Sequence, residues 1–273
     1  QPEKIIRGLK VMLKLHPGAK GVIGIENNKP EAIKVLSEMV KDIPNIEVAE
    51  LLMKYPQGAE KQIIYAITKR EVPSTTPPSL PADVGCIVDN VATVMAIGDA
   101  IFESKPLMDR VITVSGGAAK NPGNYQMKIG MKISDLMDAI GGFKEEPAKF
   151  IAGGPMMGPS MYTLDVASTK TTSGLLCFTK EEAYIPPERN CIRCGKCVEH
   201  CPMGLMPYML NALVIQDNGE GFVREHGLDC IECGSCSYIC PAKRQLAQSI
   251  RAAKKVEMGK KAAAAAKAKA AGK

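Results

Sequence analysis

Two copies of one cysteine spacing, set 39 residues apart, constrain this chain more than any other feature. The first is Cys191-Ile192-Arg193-Cys194-Gly195-Lys196-Cys197-Val198-Glu199-His200-Cys201-Pro202, and the second is Cys230-Ile231-Glu232-Cys233-Gly234-Ser235-Cys236-Ser237-Tyr238-Ile239-Cys240-Pro241. Both read C-x2-C-x2-C-x3-C-P, the run that holds cubane [4Fe–4S] clusters, and together they take eight of the ten cysteines. Cysteines at i, i+3 and i+6 wrap one cubane. The fourth stands off by three residues and a proline, and in two-cluster proteins of this kind it ligates the other cluster. The expected sets are therefore Cys191, Cys194, Cys197 and Cys240 for one cluster, and Cys230, Cys233, Cys236 and Cys201 for the second. Crossed ligation forces the two runs to lie side by side. Gly195 and Gly234 are expected where the chain turns tightly, leaving N–H groups to face the sulfurs, with Ile192, Ile231 and Ile239 as shields.

Other readings of the cysteines fit less well. A disulfide framework belongs to secreted chains, whereas repeated CxxC units point to metal and a reducing compartment. Structural zinc sites pair two CxxC units into one tetrahedral thiolate set, which leaves the four-cysteine runs and their prolines unexplained. With four thiols available per cluster, His200, His226 and His16 read as surface or supporting groups. Cys86 and Cys177 have no thiol at ligand spacing and are expected to be small buried hydrophobes.

At 273 residues the chain should form two or three domains. Its net charge of +6 misleads, because eight basic residues and one acid fall between Arg251 and Lys273 and leave the rest near neutral. A nucleic-acid surface needs basic side chains on a folded face beside stacking aromatics. Tryptophan is absent and phenylalanine and tyrosine are few, so no nucleic-acid partner is expected. No apolar run is long enough to span a bilayer. Gln1-Pro2-Glu3-Lys4 reads as a first helical turn, with no secretory signal, so the chain is expected to start inside a larger protein.

Residues 1–109 read as the C-terminal part of an α/β domain. Ile5, Ile6, Leu9, Met12 and Leu13 recur at helical spacing over 3–16, and Pro17-Gly18 stops the helix. A strand over 20–26, a helix over 31–41 opened by Pro30, and a strand over 46–52 follow, which is a parallel layer. Ligands in such sheets sit at the carboxyl ends of strands. Glu26 occupies one such end, and Gly58 and Glu60 follow the next, before a helix over 61–68. Either they contact a phosphate-bearing ligand, or Gly58 is a plain turn and Glu60 only complements the helix dipole. Residues 70–81 are too proline-rich for a regular element and read as a surface loop. A strand over 84–88 and a helix over 91–102 capped at Asp89-Asn90 complete the unit.

The texture changes at Arg110. Strands at 111–114 and 125–129, a short helix at 134–140 and a strand at 150–152 make a small β-grasp-like unit over 110–158. Its end, Gly153-Gly154-Pro155-Met156-Met157-Gly158, lacks the residues of a P-loop or Rossmann turn and reads as structural. Residues 159–184 read as a small all-β segment, with short strands at 166–167, 171–172 and 175–178. Residues 185–251 form the two-cluster ferredoxin-like domain. Its insert at 207–226 carries a helix over 208–215 that shapes the docking surface. A helix runs from Ala242 to about Met258, and 252–273 is a basic Lys/Ala tail, either solvated or in contact with an anionic surface.

With these residues in view, the chain resembles the C subunits of Rnf complexes, the ion-translocating ferredoxin:NAD oxidoreductases of bacterial and archaeal membranes. The likeness includes both cysteine runs, Gly24-Ile25-Glu26-Asn27-Asn28-Lys29-Pro30-Glu31-Ala32 and Lys54-Tyr55-Pro56-Gln57-Gly58-Ala59-Glu60-Lys61-Gln62. It also includes Arg70-Glu71-Val72-Pro73, Lys120-Asn121-Pro122-Gly123-Asn124 and Gly153–Gly158, so that it covers 3–251. The resemblance implies kinship with the NADH- and FMN-binding subunit of respiratory complex I. It implies a Rossmann-like domain for FMN and NAD(H), an SLBB-like β-grasp module and a ferredoxin-like domain that passes electrons onward. The implied partners are other Rnf subunits, and ferredoxin indirectly. The implied location is peripheral, on the cytoplasmic side of the inner membrane. The family's Gly-rich flavin loop is not in this sequence. Of its Gly-Glu-Glu pattern only Gly58 and Glu60 match, with Ala59 replacing the first acid. Two alternatives stand beside this: a soluble ferredoxin-like carrier without nucleotide chemistry, and a zinc-binding scaffold.

Overall fold

The computed structural model describes residues 1–73 and 80–271. The chain divides into two compact units, Gln1–Leu107 and Met108–Lys273.

In the first unit α1 (Pro2–Leu15), β1 (Gly21–Glu26), α2 (Pro30–Val40) and β2 (Ile46–Leu51) follow in order. β1 and β2 pair in parallel, Gly21 opposite Ile46 through Glu26 opposite Leu51. Ile6, Leu36, Val40 and Ile46 form the buried core between helices and sheet. After α3 (Glu60–Thr68) the chain reaches α4 (Val91–Glu103), whose first turn is capped by the Asn90 side chain accepting from Ala92 N–H. α1 and α4 cross at glycines: a Cβ on Gly8 would collide with the Val94 carbonyl oxygen, and one on Gly98 would lie 3.1 Å from Gly8 N. At the same crossing Lys4 and Arg7 of α1 reach Asp99 of α4 at 2.9 and 2.7 Å, with Glu103 beside them.

The strand expected at 84–88 is not formed. Pro81–Val84 is a 3-10 turn in which the Asp83 carboxylate accepts from Leu80 N–H. Gly85 follows in the left-handed region at φ 67°, so the chain cannot extend through it. Cys86 sits in irregular backbone, half-buried, with its Sγ 3.6 Å from the Val84 carbonyl oxygen, and is not the buried strand residue expected. The proline-rich loop expected at 70–81 includes residues 74–79, which lie outside the described residues.

In the second unit a five-stranded sheet is built from β3 (Asp109–Ser115), β4 (Gly123–Lys128), β5 (Lys149–Ala152), β6 (Ser160–Met161) and β7 (Gly174–Phe178), with α5 (Ile133–Ala139) between β4 and β5. The order is β4-β3-β7-β5-β6, and within it the β3–β7 pair is parallel while the others are antiparallel. The stretch 159–184 therefore gives two strands to the same sheet, β7 lying between β3 and β5. Val166-Ala167 contributes a single bridge, Lys132 to Ala167, and Thr171-Thr172 a turn, rather than strands. The buried face of Ile112, Val114, Met127, Leu136, Met137, Leu175 and Cys177 forms this core.

The remaining chain is helical: α6 (Lys196–Glu199), α7 (Pro207–Ile215), α8 (Gly219–Arg224), α9 (Ser235–Ile239) and α10 (Leu246–Ala271). Leu205, Leu210, Phe222 and Ile250 pack into a second core beneath them. The helix expected to fade near Met258 instead continues to Ala271, as its alanine-rich composition favours. No helix among the described residues is long and apolar enough to cross a membrane.

Candidate iron–sulfur centres

The two cysteine runs repeat one backbone path. Arg193 and Glu232, each two residues after its run's first cysteine, are left-handed at φ 54° and 58°. Gly195 and Gly234, two residues further on, are left-handed at 77° and 81° and cap α6 and α9. The path bends twice in five residues, so cysteines at i, i+3 and i+6 face one volume instead of lying along a helix. At the second bend the third position of each triplet enters a short helix, and Cys197 and Cys236 are buried.

The fourth cysteines cross over. A cavity of about 420 Å³ is lined by Cys191, Cys194, Cys197 and Cys240, and a second, of about 20 Å³, by Cys201, Cys230, Cys233 and Cys236. The electrostatics report the same neighbours. Burial pushes the Cys197 thiol up, and Cys240 and Cys191 add to the rise. Burial also pushes Cys236 up to about 12, and Cys230 up, and the charges of Cys201 and Cys233 act on both. Unligated, these groups are held as thiols; a bound metal cation would reverse that preference. Backbone N–H groups are aimed at the sulfurs, including Glu232 N–H donating to Cys230 Sγ at 3.3 Å.

The donor chemistry fits a cubane better than a single ion. Four sulfurs on one zinc must lie about 3.8 Å apart, given Zn–S bonds of about 2.3 Å. Among the described residues no group of three or more His, Cys, Asp or Glu closes to that degree. The first four-thiol set surrounds a volume of about 420 Å³, while the second closes on about 20 Å³. The histidines stand apart from both cavities: His200 Nδ1 lies 3.0 Å from the Lys196 carbonyl, and His226 pairs with Asp229 at 3.3 Å.

Of the α/β residues singled out in the sequence, Glu26 ends β1, while Gly58 and Glu60 follow β2 in the chain. Glu26 is half-buried at the carboxyl end of β1, where Asn27 N–H donates to the Leu51 carbonyl and the Asn27 side chain accepts from Met53 N–H. Gly58 is exposed with open space where a Cβ would be, and Glu60 is exposed in the first turn of α3. Sequence reasoning missed two features of the cluster region. Arg193 and Glu232 carry no signal of their left-handed backbone except their matched place in the repeat. Met156 is in a loop read as a plain turn, and its carbonyl would lie 2.9 Å from a Cβ on Gly234, so the sheet module touches the second cysteine run.

An α/β unit with a partial parallel sheet, a mixed β-grasp module and a helical domain with two four-thiol cavities defines a class of redox-subunit architecture. Known proteins bear the same stamp. Residues 1–99 match the Nuo51 FMN-binding domain, 111–160 the SLBB domain and 190–245 the 4Fe-4S dicluster domain. The chain is 47% identical over 255 residues to the C subunit of the Na(+)-translocating ferredoxin:NAD(+) oxidoreductase complex of Acetobacterium woodii. It is 45% identical over 250 residues to the proton-translocating counterpart of Clostridium ljungdahlii. These alignments cover 93% and 91% of this chain but 57% and 54% of the relatives, so the chain spans a little over half of their length. A third relative, the C subunit of the ion-translocating oxidoreductase complex of Rhodobacter capsulatus, is 36% identical over 80% of this chain and 42% of its own. The crystal structure of an NAD+-reducing [NiFe]-hydrogenase in the H2-reduced state shares the fold, with TM-score 0.59 and 14% identity over 92% of this chain and 50% of that one. The chain belongs to the family of C subunits of ion-translocating oxidoreductase complexes.

Proposed function

We propose that this chain is the electron-transfer part of a ferredoxin:NAD+ oxidoreductase subunit, working between NAD(H)/FMN and ferredoxin-linked redox subunits through two [4Fe–4S] clusters. The observation that carries this reading is the 3+1 composition of both cavities. Cys240 joins Cys191, Cys194 and Cys197, while Cys201 joins Cys230, Cys233 and Cys236. A cluster in each cavity would supply one-electron storage at a fixed place. The chain's own residues supply the thiolates, direct N–H groups at them and exclude water with Leu246, Ala247 and Ile250. Crossing makes each run depend on the other, which sets the two cavities side by side at a spacing suited to electron hopping.

The α/β unit, matched by the FMN-binding family, supports FMN and NAD(H) as the two-electron partners, with Glu26, Gly58 and Glu60 as candidate contacts at the strand ends. Other members of the complex hold the chain peripherally at the cytoplasmic face of the membrane and carry out ion movement. The test is anaerobic purification of the protein, with iron, sulfide and flavin counts followed by NADH titration. About eight iron and eight sulfide per chain are expected for two cubanes. Two zinc per chain, or flavin bleached by NADH while the iron–sulfur absorption never changes, would sink the reading.

A further inference from the structure

α7 carries one polar side chain that its packing does not explain. Its sequence, Pro207-Tyr208-Met209-Leu210-Asn211-Ala212-Leu213-Val214-Ile215, is apolar apart from Tyr208 and Asn211. Leu210 is buried with Phe222 and Ile250, and Val214 packs against the same core. Tyr208, Asn211, Ala212 and Ile215, at helical spacing, line the first cavity together with its cysteines. Asn211 is only 8% exposed. Ser168, buried in the sheet module, donates to the Lys128 carbonyl at 2.8 Å, but among the described residues no protein group hydrogen-bonds the Asn211 side chain. Buried polar side chains are nearly always paired, because an unpaired one forfeits its hydration without return. Asparagine also forms helix less readily than leucine or alanine. Neither helix propensity nor core packing accounts for it. The second cavity has no counterpart: beyond the four thiols its lining is proline, methionine, leucine, isoleucine, glycine and alanine, with no polar side chain. Pro207, in the first turn of α7, is part of that lining, so one helix gives an apolar ring to one cavity and an amide to the other. The other side-chain donors lining the first cavity, on Arg193, Arg244 and Tyr208, are exposed or half-buried. Water screens donors at the surface far more than one held inside, which leaves Asn211 with the strongest action on charge in the cavity.

We propose that Asn211 sets the reduction potential of the first centre, its side-chain N–H groups donating to sulfur there and favouring the reduced state of that centre over the second. This rests on the cluster reading above. The amide nitrogen carries two donors, and sulfur is an acceptor that gains negative charge when its centre takes up an electron. A donor aimed at sulfur therefore binds the reduced state more tightly, and hydrogen bonds to sulfur are one of the means by which proteins set such potentials. Two centres ligated alike then take an electron unequally, the first more readily. α7 lies in the insert between the two cysteine runs, so the insert, and not the duplicated ligand frame, makes the difference.

The test uses the anaerobically purified protein, with iron and sulfide counted first and the two centres then followed by electron paramagnetic resonance during a reductive titration. N211L removes both donors and leaves an apolar side chain that α7 accommodates. One of the two signals is expected to shift by about tenfold in its reduction equilibrium toward the oxidised state, or ~59 mV for one electron. The same signal is expected to lose an exchangeable-proton coupling, read by electron–nuclear double resonance in H2O against D2O. The other signal should stay where it is, and N211Q should recover part of both changes. If N211L loses iron, N211M, flexible and without a donor, is read in its place by the same two measures. Potentials and coupling unchanged with iron intact overturn the proposal, the amide then holding ordered water only. A potential that moves while the coupling remains, or equal movement of both centres, overturns it as well, since repacking of α7 would do the same. A wild-type protein without iron or sulfide overturns the cluster reading and this assignment together, and the count shows that before any titration.

Discussion

Gly195 and Gly234 occupy the same bend of the repeat, and replacing each by alanine separates backbone strain from a contact between modules. Both are left-handed, at 77° and 81°, so alanine costs about 1–2 kcal/mol at either site. A Cβ on Gly195 meets nothing within 4 Å, and G195A should show that cost alone. A Cβ on Gly234 comes within 2.9 Å of the Met156 carbonyl oxygen, so the 153–158 loop must move, adding overpacking of about 1–3 kcal/mol. If iron leaves through local opening at the bend, that difference corresponds to roughly five-fold to a hundred-fold faster release to a chelator in G234A than in G195A. The nearest atom is backbone, with the Met156 Cε farther off at 3.6 Å, so M156A should not rescue G234A. Equal release rates in the two glycine variants, or rescue by M156A, would refute the contact as the cause.

Other outcomes follow from the same geometry. C240S should remove about half the iron, from the centre of the first run, and C201S the half belonging to the second; loss confined to the mutated run would refute crossed ligation. G8A should drive α1 from α4, because the obstacle is the Val94 backbone carbonyl, at a cost of about 3 kcal/mol, seen as faster hydrogen exchange in both helices. The Lys4 ammonium holds the Asp99 carboxyl below its usual range, and the Arg7 guanidinium does the same for Glu103. This stabilisation is present above the unfolded carboxylate range near pH ~4 and is lost as pH falls through the lowered folded values. Exchange in α1 and α4 should therefore rise in acid, and D99N should abolish most of that dependence. Burial pushes the Cys177 thiol up to about 11 from the ordinary 9.0, so it should resist iodoacetamide in the folded protein. Since the unfolded chain ionises first, stability should fall as pH rises from about 9 toward about 11, and C177A should flatten that fall.

Legibility from sequence followed the range of the interactions involved. Cysteine spacing is a local feature of the chain, so two sets of four thiols could be read from it, and the same eight residues line the two cavities. Helical and strand periodicity located α1, β1, α2 and β2 because each buries one stripe or face. Residues 84–88 misled for a local reason: Val84, Cys86 and Val88 alternate like a strand, yet Pro81 and Gly85 on either side of Val84 direct the backbone into a turn. Residues 159–184 misled for a non-local one. β7 is an ordinary apolar strand, and nothing within it says that it lies between β3, far earlier in the chain, and β5; that depends on which sheet edge is free after β5 forms. The contact of Met156 with Gly234 was hidden for the same reason, since it joins two modules that are each complete in sequence terms.

The difference between the two centres also comes from what packs on them, because the runs themselves are near-copies. Both trace the same pair of left-handed bends and the same short helix. The second run is covered by the Met156 loop of the sheet module and by Ala247 and Ile250 of α10, and Arg251 and Lys254 of the same helix reach round to Glu232. The first run meets α7 and the start of α10, and among the described residues its cations find no acid. A duplicated ligand frame thus acquires an inner and an outer end without any change in ligation. The double variant R193E/E232R exchanges the charges at the matched positions and leaves all eight thiols in place. It should put one acid among the cations beside the first cavity while setting a third cation against Arg251 and Lys254. The thiols of the second run should nonetheless stay less reactive toward a thiol reagent than those of the first, because the Met156 loop still covers them; the asymmetry would be one of packing first and of charge second.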